Sequence, residues 1–154
     1  MKKIELLAPA GNFECLKAAV LAGCNAVYLG GKLFGARSFA GNFSDDELVR
    51  AIKYAHLYGV KVYLTINTIV YEKEVERFIN YVRFAHLNNV DAVIIQDLGM
   101  LDLVRKKFPN LEVHTSTQMH VHNVSGAMMA KKLGVKRVVV ARETSLETLS
   151  LIHI

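Results

Sequence analysis

The chain has 154 residues, of which 52% are hydrophobic, and this length and composition suit one domain with a substantial core. No apolar stretch is long enough to cross a bilayer and the amino terminus does not resemble a signal peptide, so we expect neither a membrane span nor a secretory leader. The formal net charge of +5 at pH 7 is spread over strand entrances and helix ends, which weakens a nucleic-acid interpretation based on charge alone. Cys15 and Cys24 lack CxxC spacing, which predicts reduced thiols in a cytoplasmic protein.

A strand followed by a helix recurs along the chain. Runs that are apolar at successive positions suit strands covered on both faces, as in a parallel sheet. Between these runs, apolar residues recur at helical spacing, and S-x-x-E and T-x-x-E patterns predict helix starts at Ser44 and Thr144. The six predicted strands lie within residues 4–10, 22–31, 58–67, 88–97, 111–117 and 133–142.

Six such units fit either a doubly wound open sheet or most of an eight-unit barrel. The glycines after the second strand are spaced G-G-x-x-x-G, so the dinucleotide-binding fingerprint is missing. Nearly every strand instead ends in polar residues, which a barrel would gather at its carboxyl-end face. The predicted fold class is therefore α/β, a partial (β/α)8 TIM-like barrel of about six β-α units, with the first and sixth strands left as open edges.

The end of the chain suggests an interrupted reading frame. A helix is predicted to open at Thr144, and it is soon followed by LSLIHI (149–154), which matches the translation of a transposon adapter common in sequencing libraries. We expect residues 1–148 to be the native part of a barrel truncated before closure, and residues 149–154 to be a non-native tail. A genuine amphipathic end is the alternative.

The stretch VYLGGKLFGARSFAGNFS (27–44) leaves the second strand through glycines, cations and phenylalanines. Gly30 and Gly31 would let the backbone lie close to a ligand, and Arg37 could contact phosphate or carboxylate through two hydrogen bonds. The phenylalanines are predicted to pin this loop to the barrel rim or, alternatively, to stack on a base: Phe34, Phe39 and Phe43.

His114, at the end of the fifth strand, is the candidate for acid–base catalysis because imidazole titrates near neutrality. A structural histidine is the alternative. No Ser-His-Asp order or nucleophile elbow supports Ser116 as a nucleophile. His120 and His122 form H-x-H, but no carboxylate completes a metal site, so no metal is expected.

Arg142 and Glu143 follow the sixth strand and predict anion recognition and proton handling, with Glu143 as a second catalytic candidate. An internal salt bridge combined with a helix cap is the alternative. The other residues at strand ends are predicted to bind substrate or, alternatively, to form turns and caps: Asn67, Gln96, Asp97, Ser116 and Gln118.

Four motifs in order carry a family resemblance: ELLAPAGNFE, AVYLGGKLFGARSFAGNFS, STQMHVHN and KRVVVARE. Over residues 4 to about 148 the sequence resembles peptidase family U32, the collagenase-like peptidases. The resemblance implies a barrel-like α/β domain. It also implies one of two activities, since some members are described as collagen-degrading peptidases and others as enzymes that hydroxylate a pyrimidine in tRNA or rRNA without oxygen.

The hydroxylating members imply an iron–sulfur cluster held by cysteines downstream of the portion present here. Cys15 and Cys24 are too few for a four-cysteine cluster, so we expect this chain to bind no cofactor and to be inactive by itself. The leading interpretation is part of an iron–sulfur-dependent RNA hydroxylase, with RNA as partner. The alternatives are a peptidase with a peptide substrate, and a non-catalytic partial barrel that binds a partner through its open edges.

Overall fold

A computed structural model describes residues 4–37 and 41–153, so the predicted rim residue Phe39 and the last residue of the predicted tail lie outside the described residues. Strands and helices alternate throughout. Within these ranges, no helix has both the length and the apolar composition required to cross a bilayer. The elements are β1 (Leu7–Pro9), α1 (Phe13–Leu21), β2 (Ala26–Gly30), α2 (Asp45–Leu57), β3 (Lys61–Thr65), α3 (Val75–Leu87), β4 (Ala92–Ile95), α4 (Leu98–Lys107), β5 (Glu112–Thr115), α5 (Val124–Lys132), β6 (Arg137–Val138) and α6 (Leu146–His153), with 3₁₀ turns at Glu72–Glu74 and Thr117–Met119.

The six strands form one sheet in the order β1-β2-β3-β4-β5-β6, and every neighbouring pair is parallel. A doubly wound open sheet would reverse its strand order at a switch point, whereas a barrel adds each strand beside the previous one. The consecutive order therefore confirms the predicted winding.

A contact between the two ends of the sheet shows that it curls. Arg137 Nη1 on β6 donates a hydrogen bond to Glu5 Oε1, just before β1, at 2.6 Å. In a flat sheet, five strand spacings of about 4.8 Å would hold these strands roughly 24 Å apart, beyond the reach of the two side chains. The Tyr63 hydroxyl on β3, between them, donates to the same oxygen at 2.8 Å. The sheet is therefore a half-barrel, as predicted.

Both faces of this sheet are covered. Val27 and Leu29 on β2 point outward into the main core beneath the helices, while the alternate residues Ala26 and Tyr28 point into the barrel. This two-sided burial explains why the strands are apolar at successive positions. The inner cluster is small and consists of Ala26, Tyr63, Ala92 and Ile94, with Leu7 and Tyr28 packed against it.

One of the two predicted capping boxes forms. The Ser44 backbone N–H donates to Glu47 Oε2 at 2.8 Å, and Glu47 N–H donates to Ser44 Oγ at 3.3 Å. The box predicted at Thr144 is wrong, because α6 begins only at Leu146 and Ser145 Oγ accepts from Thr148 N–H at 3.1 Å. Adjacent hydroxyl residues can both cap a helix, and the serine holds the position beside the third helical N–H.

Replacing Glu5 with glutamine is expected to lower the free energy of unfolding by about 1 kcal/mol at pH 7, because a charge-assisted bond is lost from a partly exposed site. The Arg137 hydrogen bond, despite some desolvation, lowers the pKa of Glu5, so its stabilisation is present above pH ~4.3 and is lost as pH falls through the folded-state pKa. Urea denaturation at pH 7 and pH 3 measures both effects. The matched change Glu143→Gln should cost less than 0.5 kcal/mol; equal losses in the two variants would contradict the assignment.

Candidate functional site

A cavity of about 600 Å³ lies at the carboxyl ends of the strands, within the size range of small-ligand sites. Its position is the one where barrel folds hold their ligands. Seven of the residues predicted from the strand ends line it together: Gly30, Arg37, Asn67, Ser116, Gln118, Arg142 and Glu143. The prediction that polar strand ends converge on a common rim is confirmed for these residues, while their functional roles remain predictions.

The cavity also includes residues that the sequence analysis did not assign to it. Tyr28 lies on the inner face of β2, two positions before Gly30. Because residues two apart on a strand share a face, placing Gly30 at the cavity could have predicted Tyr28 there too. Asn42 and Thr65 border the space beside Gly30, where an added Cβ would lie 3.0 Å from Asn42 Oδ1 and 3.1 Å from Thr65 Oγ1. His120 lines the cavity from a left-handed backbone conformation, with φ of 55°.

Gly31 is not part of the cavity lining. A Cβ at this position would lie 1.8 Å from Tyr81 Oη, so the glycine provides space for an aromatic ring of α3 rather than for a ligand. The prediction that Gly31 approaches a ligand is therefore wrong, and the residue has a packing role. Consecutive strand residues face opposite sides of the sheet, so Gly30 faces the cavity and Gly31 faces α3.

Gln96 and Asp97 also lie outside the lining. Asp97 Oδ1 accepts from Met100 N–H at 3.0 Å and caps α4, while Oδ2 accepts from Val70 N–H at 3.2 Å. Both carboxylate oxygens thus hold backbone groups in place. For Asp97, the structure shows the cap that the sequence analysis kept as the alternative.

His114 lies inside the half-barrel, with 1% of its surface exposed, and it does not line the cavity. Its ring packs edge-on against Tyr63 with centroids 4.7 Å apart, and Nε2 lies 3.6 Å from Glu112 Oε2, too far for a hydrogen bond. Burial, together with the nearby Arg137 charge, lowers the pKa of His114 to about 4. The expectation that this imidazole titrates near neutrality is wrong, and the position fits the structural alternative.

Asn67 and Ser116 form a fixed junction at the cavity edge. Asn67 Oδ1 accepts from Ala36 N–H at 3.2 Å, and its Nδ2 donates to Ser116 Oγ at 3.1 Å. The same Ser116 oxygen accepts from Gln118 N–H at 3.2 Å. A serine nucleophile needs a base to take its proton, and none of the described hydrogen bonds joins Ser116 to a histidine. This pair therefore joins three loops and is not arranged as a nucleophile with its base.

Arg142 and Glu143 reach the cavity as exposed charges. Neither takes part in an ion pair in the described part of the chain, so the predicted internal salt bridge is not formed there. The helix-cap role also falls to Ser145, as described above. Both side chains are thus available to a ligand at the sixth strand end.

Two of the three loop phenylalanines are packed inside. Phe34 contacts Phe78 edge-on with centroids 5.2 Å apart, and Phe43 is 2% exposed. The pinning role is confirmed for this pair, and Phe43 is too deeply buried to stack on a base. The planar groups at the cavity are instead Tyr28 and Arg37, whose guanidinium carbon lies 5.8 Å from the Tyr28 ring centroid.

No described cluster of His, Cys, Asp and Glu could hold a metal ion. Cys15 is exposed on α1 and Cys24 is buried, and neither lines the cavity. The residues present therefore do not fit an iron–sulfur cluster, which needs about four thiolates close together.

A half-barrel of parallel strands with a polar cavity at their carboxyl ends defines an α/β domain of the TIM-barrel type. The chain belongs to peptidase family U32, whose model matches residues 11–154. A solved structure of a U32 peptidase superposes with a TM-score of 0.79 at 15% identity, over 98% of this chain and 64% of that chain, and shows the same fold.

Curated relatives include proteins named for RNA hydroxylation. The chain is 41% identical to tRNA hydroxylation protein P1 of Bacillus subtilis (strain 168), over 94% of this chain and 34% of that protein. It is 37% identical to the 23S rRNA 5-hydroxycytidine synthase of Escherichia coli (strain K12), over 98% of this chain and 22% of that protein. The chain thus spans about a third or less of the length of these relatives.

Proposed function

We propose that this chain forms the substrate-binding half-barrel of an enzyme that hydroxylates a pyrimidine in tRNA or rRNA. The observation that carries the proposal is the 41% identity to a tRNA hydroxylation protein over 94% of the chain. The second relative, named for 5-hydroxycytidine synthesis in 23S rRNA, supports a pyrimidine as the target. A substrate of this kind is consistent with a cytoplasmic location.

The charges at the cavity suit such a substrate. Arg37 and Arg142 lie on different loops at the cavity, and a guanidinium group can pair with a phosphate or lie against a planar ring. Glu143 is a carboxylate at the same rim and is our candidate for accepting a proton from the substrate. These three side chains would bind and orient a nucleotide.

Hydroxylation also requires redox chemistry, which the described residues do not supply. Replacing a pyrimidine C–H by C–OH removes two electrons and adds an oxygen atom. We propose that in the longer protein an iron–sulfur cluster, held by cysteines outside this chain, would relay these electrons to an oxidised organic co-substrate, and that the oxygen atom comes from a donor other than O2. Cys24 is then a packing residue and Cys15 an exposed thiol on α1, and the chain alone is expected to be inactive.

Deletion of the full-length gene in the source organism tests the proposal. Mass spectrometry of nucleosides from tRNA and 23S rRNA should show loss of one hydroxylated pyrimidine, and the intact gene should restore it in anaerobic culture. The Glu143→Gln variant should restore less than about a hundredth of it, given the usual size of general acid–base effects. Unchanged hydroxylation in the deletion strain would contradict the function, and a strict need for oxygen would contradict its oxygen-free form.

The name of the family makes peptidase activity the alternative function. Within residues 4–37 and 41–153 the cavity provides neither a serine paired with a base nor a metal cluster, so its geometry does not favour proteolysis. Gelatin cleavage by the purified full-length protein, compared with the deletion-strain result, separates the two activities. Cleavage with unchanged RNA would replace our proposal with the peptidase.

A further inference from the structure

Tyr28 and Arg37 bring two planar groups close together at the cavity. The Tyr28 side chain is half-buried on the inner face of β2, and the Arg37 guanidinium carbon lies 5.8 Å from its ring centroid. Both residues line the cavity. Since an arginine over an aromatic face is attracted to the ring electrons, the pair is a defined arrangement.

The backbone around Arg37 is fixed on both sides. Ala36 N–H donates to Asn67 Oδ1 at 3.2 Å, and Asn42 Nδ2 donates to Arg37 O at 2.9 Å. These two bonds fix the backbone from which the exposed Arg37 side chain extends, and the contact described for the guanidinium is the one with the Tyr28 ring.

The remaining walls favour a flat apolar ligand with a charged edge. Leu7, Ile94 and Val139 line the cavity beside Tyr28, whereas Arg142 and Glu143 lie at its rim. Unpaired bases commonly stack on aromatic rings or guanidinium planes, while phosphates pair with arginine. A cavity of about 600 Å³ admits one nucleotide unit, so a target base within a duplex would have to leave its helix.

We propose that the Tyr28–Arg37 pair is a stacking platform for a single unpaired pyrimidine base and that Arg142 binds a phosphate of the same strand. The choice of RNA as ligand rests on the proposed function. Arg37 would therefore contact the base through the plane of its guanidinium group. A side chain with the same positive charge but without that plane would not give the same preference for a base.

The test compares binding of three probes to the 154-residue chain by fluorescence anisotropy: labelled oligouridine, an abasic ribose-phosphate oligomer of equal length, and an RNA duplex. The chain should bind oligouridine at least about tenfold more tightly than the abasic oligomer, since each stacked base contributes substantially to affinity. The Arg37→Lys variant keeps the charge but loses the planar group, so it should lose most of this preference. The matched change Arg142→Gln should weaken binding of both single-stranded probes to a similar extent.

Two further variants address Tyr28 itself. Tyr28→Phe retains the ring and should keep the preference, whereas Tyr28→Leu should lose it, with thermal unfolding used to check that each variant is folded. Equal binding of oligouridine and abasic oligomer by the unmodified chain, tighter binding of the duplex, or a full preference in Arg37→Lys would overturn the platform. If the deletion strain loses hydroxylation but the chain binds oligouridine and the abasic oligomer equally, the platform alone is rejected. If the deletion strain keeps its hydroxylation, the proposed function is rejected.

Discussion

Replacing Gly31 with alanine is expected to lower the free energy of unfolding by about 3 kcal/mol, at the upper end of the usual cost of overpacking. The new Cβ would lie 1.8 Å from Tyr81 Oη and 3.1 Å from its Cζ. The phenol has little room to withdraw, because Tyr81 is 5% exposed and its ring stacks on Phe84 with centroids 6.1 Å apart. Urea denaturation at pH 7 measures the loss.

The Tyr81→Phe variant supplies the control. Tyr81 Oη is buried without a hydrogen-bond partner in the described structure, and burial raises the pKa of this phenol to about 12, so the group is neutral. Removing the hydroxyl should therefore be neutral or slightly stabilising by itself. In the double variant, the oxygen that meets the new methyl group is gone, so most of the loss should be recovered. Additive effects of the two changes would show that the clash is not with this hydroxyl.

The positions of Gly31 and His114 show what the sequence could and could not predict. Apolar runs and polar strand ends were sufficient to predict the parallel half-barrel and most of its rim, because both depend on order along the chain. Which face and which depth a residue occupies depends on the tilt and register of the strands. Tyr28, two residues before Gly30, lines the cavity, whereas His114, two residues before Ser116, is buried and does not.

Contacts between segments that are far apart along the chain also could not be predicted from a single sequence. Nothing in the sequence pattern identifies Arg137 as the partner of Glu5, because the two residues are 132 positions apart. The stretch from residue 27 to 44 was interpreted as a ligand loop with aromatic pins, and packing against the core is confirmed for Phe34 and Phe43. Tyr28, which lines the cavity, lies two residues before Gly30 within the same stretch, and no role was predicted for it.

Acid is expected to destabilise this fold through His114 in particular. The folded-state pKa of about 4 lies below the ordinary value of 6.5, because burial and then the Arg137 charge disfavour the imidazolium ion. Between these values the unfolded chain takes up a proton that the folded chain excludes, so stability is fully present above pH 6.5 and falls as the pH is lowered. The loss from this group should reach roughly 3 kcal/mol near pH 4.

The His114→Phe variant isolates this effect. Phenylalanine keeps the edge-on contact with Tyr63, and no hydrogen bond of Nε2 is lost among the described residues. The stability–pH curve of the variant should therefore be flatter between pH 6.5 and 4 by up to about 1.4 kcal/mol per pH unit, and parallel to that of the unmodified chain above pH 7. Parallel curves throughout would show that the imidazole is not held neutral by burial.

The same substitution in the full-length gene decides whether His114 is a structural or a catalytic residue. If His114 is structural, the variant should keep hydroxylation within about tenfold of normal. If His114 is an acid–base catalyst, its replacement should cost about a hundredfold or more in a folded protein.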